Sequence, residues 1–260
     1  MTRLPAIFVS HGAPTLMLEP GPTREFLSGL GETIGRPRAI LCISAHWDTT
    51  APAITAIGTP GTIHDFYGFT QELYKVHYAA PGEPALARRV LDLLDNAGIQ
   101  GRLDPSRGLD HGAWVPLALA YPQADIPVVQ LSVQSRMNAA HHLAAGRALA
   151  GLRNEGVLIL GSGGATHNLR EFGRYPIDAP PPDYVSSFET WLVDSIVKGH
   201  ETALLDYVRQ GPSAARNHPT SEHFMTLFAP LGAAGPGARG RAIHRAFNYG
   251  ILSMAAFAWD

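Results

Sequence analysis

Residues 38–47, RAILCISAHW, run through an unbroken apolar stretch into a serine, a histidine and a tryptophan. The stretch lacks the polar alternation of a strand with one face in water, so it predicts a strand covered on both faces. A second such run, Ala6–Ser10, is followed directly by His11. In a buried parallel sheet, the carboxyl ends of the strands converge on the crevice where ligands bind. We therefore expect His11 and His46 to lie close together at that edge.

The alternation of apolar runs with amphipathic segments predicts the fold class. Strands are expected at Ala6–Ser10, Arg38–Ala45, Ala53–Ile57, Ile126–Ser132, Gly156–Gly161 and Ile251–Phe257. Helices are expected at Glu83–Ala97, Gly112–Tyr121, Asn138–Leu152, Asp183–Gly199 and from Ser221 to about Leu231. The pattern indicates an α/β fold, a single layered domain over residues 1–260 with a largely parallel or mixed central sheet flanked by helices. The active site is expected at the carboxyl ends of its strands.

Composition excludes several function classes. The 260 residues are 45% hydrophobic and 16% charged, with a net charge of −2 when histidines are neutral. That charge provides no basic surface for a nucleic acid. No apolar window approaches the roughly 18 residues of a membrane span, and the first residues lack a signal-peptide core, so the sequence predicts a cytoplasmic protein. The low charge content is compatible with a homo-oligomer, and Cys42, inside its apolar run, is expected to be a small buried side chain.

Three further histidines stand where one predicted element gives way to the next. His167 follows the glycine-rich stretch 161–164, His111 opens a helix that Asp110 can cap, and His223 ends the motif HPTSEH. Neutral imidazole is the commonest metal ligand in proteins, so the set predicts a metalloenzyme. His223 and Glu222 compete for one position, because a carboxylate beside two histidines is also a common metal site. The residues alone leave that choice open.

Residues 58–82, here called the aromatic segment, mix glycine, proline and aromatic side chains without a clear period. A long irregular stretch inside a compact domain is usually functional. We expect it to cover or border the site, and we expect His64 and Phe66 to contact a planar substrate.

These motifs together resemble one family. SHGAP from Ser10, SAHW from Ser44, DHGAW from Asp110, THNL from Thr166 and HPTSEH from His218 are similar to the DODA-type extradiol aromatic ring-opening dioxygenases of the LigB-like superfamily. The resemblance covers nearly the whole chain. It implies an α/β fold and a non-haem Fe(II) site that opens a catechol ring beside its two hydroxyls, with O2 as co-substrate. Zn(II) can occupy such a site in purified protein, because its affinity exceeds that of Fe(II).

The resemblance also assigns roles to individual residues. It implies that His11 and His46 are metal ligands and that His223, rather than Glu222, is the third. It implies that His167 is the acid/base beside the metal, a residue that can also coordinate it in DODA-type members. His111 is expected to hydrogen-bond the substrate or oxygen as a second catalytic group.

Two rival functions have different chemistry. A zinc-dependent hydrolase would use a histidine-rich site to activate water, although the sequence lacks an HExxH helix. A non-catalytic metal-binding scaffold would keep the fold without consuming oxygen. The pattern favours the dioxygenase.

Overall fold

A central sheet of eight strands organises the computed structural model, which describes residues 3–260. In chain order, the strands of this sheet and of a separate two-stranded ribbon are β1 (Ala6–Ser10), β2 (Ala39–Asp48), β3 (Ala53–Thr55), β4 (Arg102–Asp104), β5 (Val128–Val133), β6 (Val157–Gly163), β7 (Arg241–His244), β8 (Phe247–Asn248), β9 (Leu252–Ser253) and β10 (Ala256–Trp259). The helices are α1 (Pro22–Ile34), α2 (Pro84–Asn96), α3 (His111–Ala120), α4 (Ala139–Leu149), α5 (Asp183–Lys198), α6 (Glu201–Leu205), α7 (Tyr207–Gln210), α8 (Ala214–Asn217), α9 (Glu222–Met225) and α10 (Phe228–Ala234).

The sheet is mixed, with a parallel centre and antiparallel edges. Its order is β4-β3-β5-β2-β6-β1-β10-β7, while β8 and β9 form a separate two-stranded ribbon. Strands β5, β2, β6 and β1 are parallel neighbours, whereas β3 runs antiparallel to β5 and β10 runs antiparallel to β1 and β7. The α/β fold predicted from the alternating runs, with a largely parallel or mixed sheet, is confirmed.

Alternate side chains of the central strands enter opposite layers, which is why their sequences read as unbroken apolar runs. On β2, Ile40 and Cys42 pack in the layer that contains Leu27 of α1 and Trp114 of α3. On the other face, Leu41 packs in the layer built with α2, α4 and α10. Every residue of β1, β5 and β6 is buried. Cys42 is buried too, as its apolar surroundings predict.

The strand predicted at Ile251–Phe257 is wrong in its extent. The chain instead forms β9, bends, and enters the sheet as β10. The bend is held by side chains and carbonyls from distant segments: Ser253 N–H donates to Thr166 Oγ1 at 2.6 Å, and Met254 N–H donates to the Ala246 carbonyl at 2.9 Å. Apolar composition alone could not show these partners.

Two predicted helices are shorter than expected. The segment from Ser221 to Leu231 is divided into α9 and α10 rather than forming one helix. The predicted helix Asn138–Leu152 ends as α4 at Leu149, and a 3-10 helix, Ala150–Glu155, continues it. Asn138 caps α4, since its side chain accepts from the His141 N–H at 3.0 Å.

Arg153 joins the two ends of the described chain beneath the sheet. Its fully buried guanidinium donates to the carbonyls of Leu4 at 2.6 Å, Ala233 at 3.1 Å and Trp259 at 2.9 Å. These contacts tie the segment before β1 to the end of β10. Among residues 3–260, no helix is both long and apolar enough to cross a membrane.

Candidate functional site

Three imidazoles from distant parts of the chain converge at the carboxyl edge of the parallel strands. His11 follows β1, His46 lies near the end of β2, and His223 lies in the short helix α9. His46 Nε2 is 3.0 Å from His11 Nε2 and 3.3 Å from His223 Nε2. We call these residues the three-imidazole group. The proximity of His11 and His46 is what their positions after parallel strands predict.

The proton on each ring can be assigned from its neighbours. The Ser162 hydroxyl donates to the Gly112 carbonyl at 2.5 Å, so Ser162 Oγ accepts from His11 Nδ1–H at 3.0 Å. His223 Nδ1–H donates to a Glu222 carboxylate oxygen at 2.9 Å. His46 Nδ1 lies 3.4 Å from an Asp65 carboxylate oxygen. With each proton on Nδ1, the three Nε2 lone pairs face one another.

Burial keeps these rings neutral. It lowers the pKa of His11 and His223 well below the usual range, and the neighbouring imidazoles lower both pKa values further. Burial also lowers the pKa of His46, and His111 adds to that effect although Asp65 opposes it. Neutral imidazole is the form that binds a metal ion.

The arrangement fits a bound cation. Facing lone pairs repel each other unless a positive charge lies between them. Two imidazole nitrogens that share an ion with bonds of about 2.0–2.1 Å lie roughly 2.9–3.4 Å apart. The two measured Nε2 separations, 3.0 Å and 3.3 Å, fall in that range. His11, His46 and His223 are thus suitable ligands for one metal ion.

Glu222 and His167 flank His223 in different ways. Glu222 accepts from His223 Nδ1–H and from the Thr220 hydroxyl, the latter at 2.8 Å, so its carboxylate lies on the side of the ring away from His46. The His167 ring stacks on the His223 ring with centroids 3.4 Å apart and planes 12° apart. His167 therefore lies beside the three-imidazole group, and burial lowers its pKa to about 4.

Asp65, which lies in the aromatic segment, contacts both His111 and His46. One of its carboxylate oxygens accepts from the His111 backbone N–H at 2.9 Å and from His111 Nδ1–H at 3.0 Å. The other carboxylate oxygen is the one near His46. The His111 and His46 rings are 3.8 Å apart between centroids. Asp65 was not among the residues predicted for the site, although a carboxylate inside an otherwise aromatic stretch was an available signal.

A cavity of about 400 Å³ opens onto these imidazoles. Its walls include His111 and His167 and the apolar side chains of Phe66, Phe69, Leu169, Phe172 and Met254. Phe66 therefore lines the cavity, and its contact with a planar substrate stays a prediction. His64 does not line the cavity: its Nε2–H donates to the Val76 carbonyl at 3.0 Å and its ring packs on Trp114. His64 thus holds the backbone of the aromatic segment, and its contact with a substrate stays a prediction.

Glycine is required where α3 approaches the site. A Cβ atom on Gly112 would lie 3.0 Å from His46 Cδ2 and 3.2 Å from His11 Cε1, and still closer to Ser44 Oγ. Asp110 caps this helix, accepting from the Ala113 N–H at 3.2 Å. The glycine-rich stretch 161–164 is mostly part of the sheet, because β6 extends through Gly163. Gly163 lies against the His223 carbonyl, where a Cβ would clash.

The fold and the three-imidazole group define an α/β protein with histidines at the carboxyl edge of its sheet that are suited to hold a metal ion. The family description "Catalytic LigB subunit of aromatic ring-opening dioxygenase" matches residues 5–257. The chain belongs to this LigB family.

Curated relatives and a solved structure agree with that assignment. The chain is 42% identical to a Beta vulgaris protein named 4,5-DOPA dioxygenase extradiol, over 96% of this chain and 94% of that one. It is 44% identical to an Escherichia coli (strain K12) protein of the same name, over 89% and 86%. The crystal structure of an uncharacterized Escherichia coli K12 protein superposes with a TM-score of 0.79 and 36% identity, covering 98% and 99%. These comparisons support an extradiol ring-cleaving dioxygenase activity.

Proposed function

We propose that the chain opens a catechol-type ring, as in DOPA, on an Fe(II) ion held by His11, His46 and His223. The observation that carries this proposal is the convergence of three Nε2 lone pairs in the wall of a largely apolar cavity. The relatives named 4,5-DOPA dioxygenase extradiol support the substrate class. Bound there, Fe(II) would supply open positions for both catechol oxygens and for O2.

The cavity walls suit a flat aromatic ligand. Phe66, Phe69, Leu169 and Phe172 offer apolar surface to the faces of a ring, while the imidazoles supply the polar part of the wall. A catechol would bind with its hydroxyls toward the three-imidazole group and its substituent toward the cavity mouth. Burial of the ring among apolar side chains also excludes water from the reacting atoms.

His167 and His111 are the groups that move or hold protons. With a pKa lowered to about 4 by burial, His167 is neutral near pH 7 and can accept the second hydroxyl proton of the catechol. His111 donates through Nδ1–H to Asp65, which leaves its Nε2 free to accept a hydrogen bond from the substrate. We assign His167 as acid/base and His111 as substrate partner.

Oxygen uptake by the reconstituted protein tests the proposal. Protein loaded anaerobically with Fe(II) is mixed with a panel of catechols that includes DOPA, and O2 consumption is measured with the absorbance of the yellow ring-opened product. We expect both signals together, and loss of both in His46→Ala. Tight metal binding without oxygen consumption across the panel would favour a scaffold. Activity with Zn(II) on ester or amide substrates would favour the hydrolase.

A further inference from the structure

We propose that Asp65 is a positioning residue that fixes two imidazoles at once, His46 toward the metal ion and His111 toward the substrate. The His46 half of this inference rests on the proposed metal centre. The structure supports it with three contacts of one carboxylate, to the His111 N–H, to His111 Nδ1 and to His46 Nδ1.

The backbone around Asp65 is well anchored, so the carboxylate is held in place. The Ile63 N–H donates to the Leu109 carbonyl at 2.7 Å, and the Ile63 carbonyl accepts from Trp114 Nε1–H at 2.9 Å. Thr62 pairs with Leu109 in an isolated bridge. These bonds connect the aromatic segment to the start of α3, the helix that begins with His111.

The two carboxylate oxygens have different tasks. Oδ1 takes both bonds from His111, so it fixes the tilt of that ring and leaves Nε2 directed away from Asp65. Oδ2 lies 3.4 Å from His46 Nδ1, so it favours the tautomer whose lone pair is on Nε2, the atom facing His11. Partners of this kind on the far nitrogen of a ligating histidine typically change metal affinity by 10–100-fold.

The same atoms admit a rival reading. The ligating atoms of His46, Asp65 and His111 lie within 4.8 Å of one another, so they could form a second metal site. With a second metal site, Asp65 would be a ligand and each chain would bind two ions. With Asp65 as a positioning residue, each chain would bind one ion.

Two substitutions separate the tasks of the two oxygens. In Asp65→Asn the amide oxygen can still accept from His111, but the amide nitrogen is a donor and cannot accept from His46 Nδ1–H. In Asp65→Ala both contacts are lost. Asp92→Asn, at an exposed position on α2, makes the same change in charge and serves as the matched control.

The first measurement is the metal Kd, by competition with a chelating indicator, together with the number of ions per chain. We expect one ion per chain in the native protein, a Kd raised about 10–100-fold in both Asp65 variants, and a native Kd in Asp92→Asn. A native Kd in Asp65→Asn overturns the His46 half, and a second ion lost with Asp65 overturns the positioning role.

The second measurement is kcat at saturating Fe(II), where metal affinity no longer matters. We expect kcat to fall further in Asp65→Ala than in Asp65→Asn, since only the amide keeps the His111 bonds. In a His111→Ala background, Asp65→Ala should lower kcat no further. Equal kcat losses in both variants, or additive losses in the double variant, contradict the His111 half. If native protein binds the metal but cleaves no catechol, the proposed function fails while the Kd comparison still tests Asp65.

Discussion

The rings of His167 and His223 lie face to face, with centroids 3.4 Å apart and planes inclined by 12°. A stacked neighbour covers one face of the ring without using its nitrogens. The Nε2 atom of His223 stays directed toward His46, and Nδ1 stays on Glu222. The acid/base and the metal ligand that we propose are thus in contact, yet each keeps its own hydrogen-bonding atoms.

This stacking predicts that His167→Gln lowers turnover and keeps the metal. The substitution takes no nitrogen out of the three-imidazole group but removes the group that accepts the catechol proton. We expect kcat to fall about 10²–10⁴-fold, with native Fe(II) content by metal analysis. Loss of the ion from this variant would instead make His167 a ligand.

Glu222 and His223 should respond in opposite ways to substitution. His223→Ala removes one of the three facing lone pairs, so we expect loss of bound metal after dialysis. In Glu222→Gln the amide oxygen can still accept from His223 Nδ1–H, so metal should remain, with affinity lowered by at most about 10–100-fold. The assignment is reversed if Glu222→Gln is the variant that loses the ion.

Gly112→Ala should displace α3 from the imidazoles. The added Cβ would press on Ser44, His46 and His11 at once, and overpacking of this kind costs about 1–3 kcal/mol. We expect lower stability in urea unfolding together with weaker metal binding. Gly29→Ala in α1, where a Cβ meets nothing within 4 Å, is the control and should be neutral or slightly stabilising.

Protonation of His142 is expected to account for part of the loss of folding stability in acid. Its Nδ1–H donates to the Asn138 carbonyl at 3.0 Å and its Nε2 accepts from the Gln134 N–H at 3.2 Å, so the neutral ring uses both nitrogens. Burial lowers its pKa from 6.5 to about 4. The unfolded chain therefore binds the proton first, and stability is lost as pH falls from 6.5 toward 4, by up to about 3 kcal/mol.

The measurement for His142 is the free energy of unfolding as a function of pH. We expect His142→Gln to flatten the slope over this window relative to the native protein. His200→Gln, at an exposed position, is measured beside it as the control for loss of a histidine. An unchanged slope in His142→Gln would contradict the assignment.

Arg153→Met should destabilise the fold far more than a surface change does. The carbonyls of Leu4, Ala233 and Trp259 lose the Arg153 donor, although the Ala233 carbonyl also accepts from Arg3 Nη2 at 3.3 Å. Each unsatisfied buried group costs about 1–3 kcal/mol, so we expect a loss of roughly 2 kcal/mol or more. Arg89→Met removes an exposed ion pair with Glu155 and should cost about 1 kcal/mol or less. Similar urea midpoints for the two variants would show that the buried contacts contribute little.

The sequence predicts the parts of the site that depend on local pattern. Unbroken apolar runs identify β1 and β2, and parallel strands share a carboxyl edge, so the closeness of His11 and His46 follows from their places in the sequence. The cap of α3 by Asp110 is equally local. These inferences need only the period of the strands and the chemistry of a helix start.

Other parts depend on partners that sequence spacing does not reveal. Asp65 reaches His111 across 46 positions, and Ser162 joins His11 to Gly112 across even larger separations. The run Ile251–Phe257 reads as one strand, but contacts with Thr166 and Ala246 bend it. His64 was expected at the substrate because of its aromatic neighbours, and in the structure its ring packs on two of them, Phe66 and Trp114.

The position of β10 between β1 and β7 affects how the protein can be made. Strand β1 leaves the ribosome early, yet one of its neighbours in the sheet is encoded some 250 residues later. Because the ribosome adds about 5–20 residues per second, β1 has no β10 beside it for roughly 12–50 seconds. Until β10 pairs with it, β1 has an unpaired edge, and an unpaired strand edge is a place where another chain can associate.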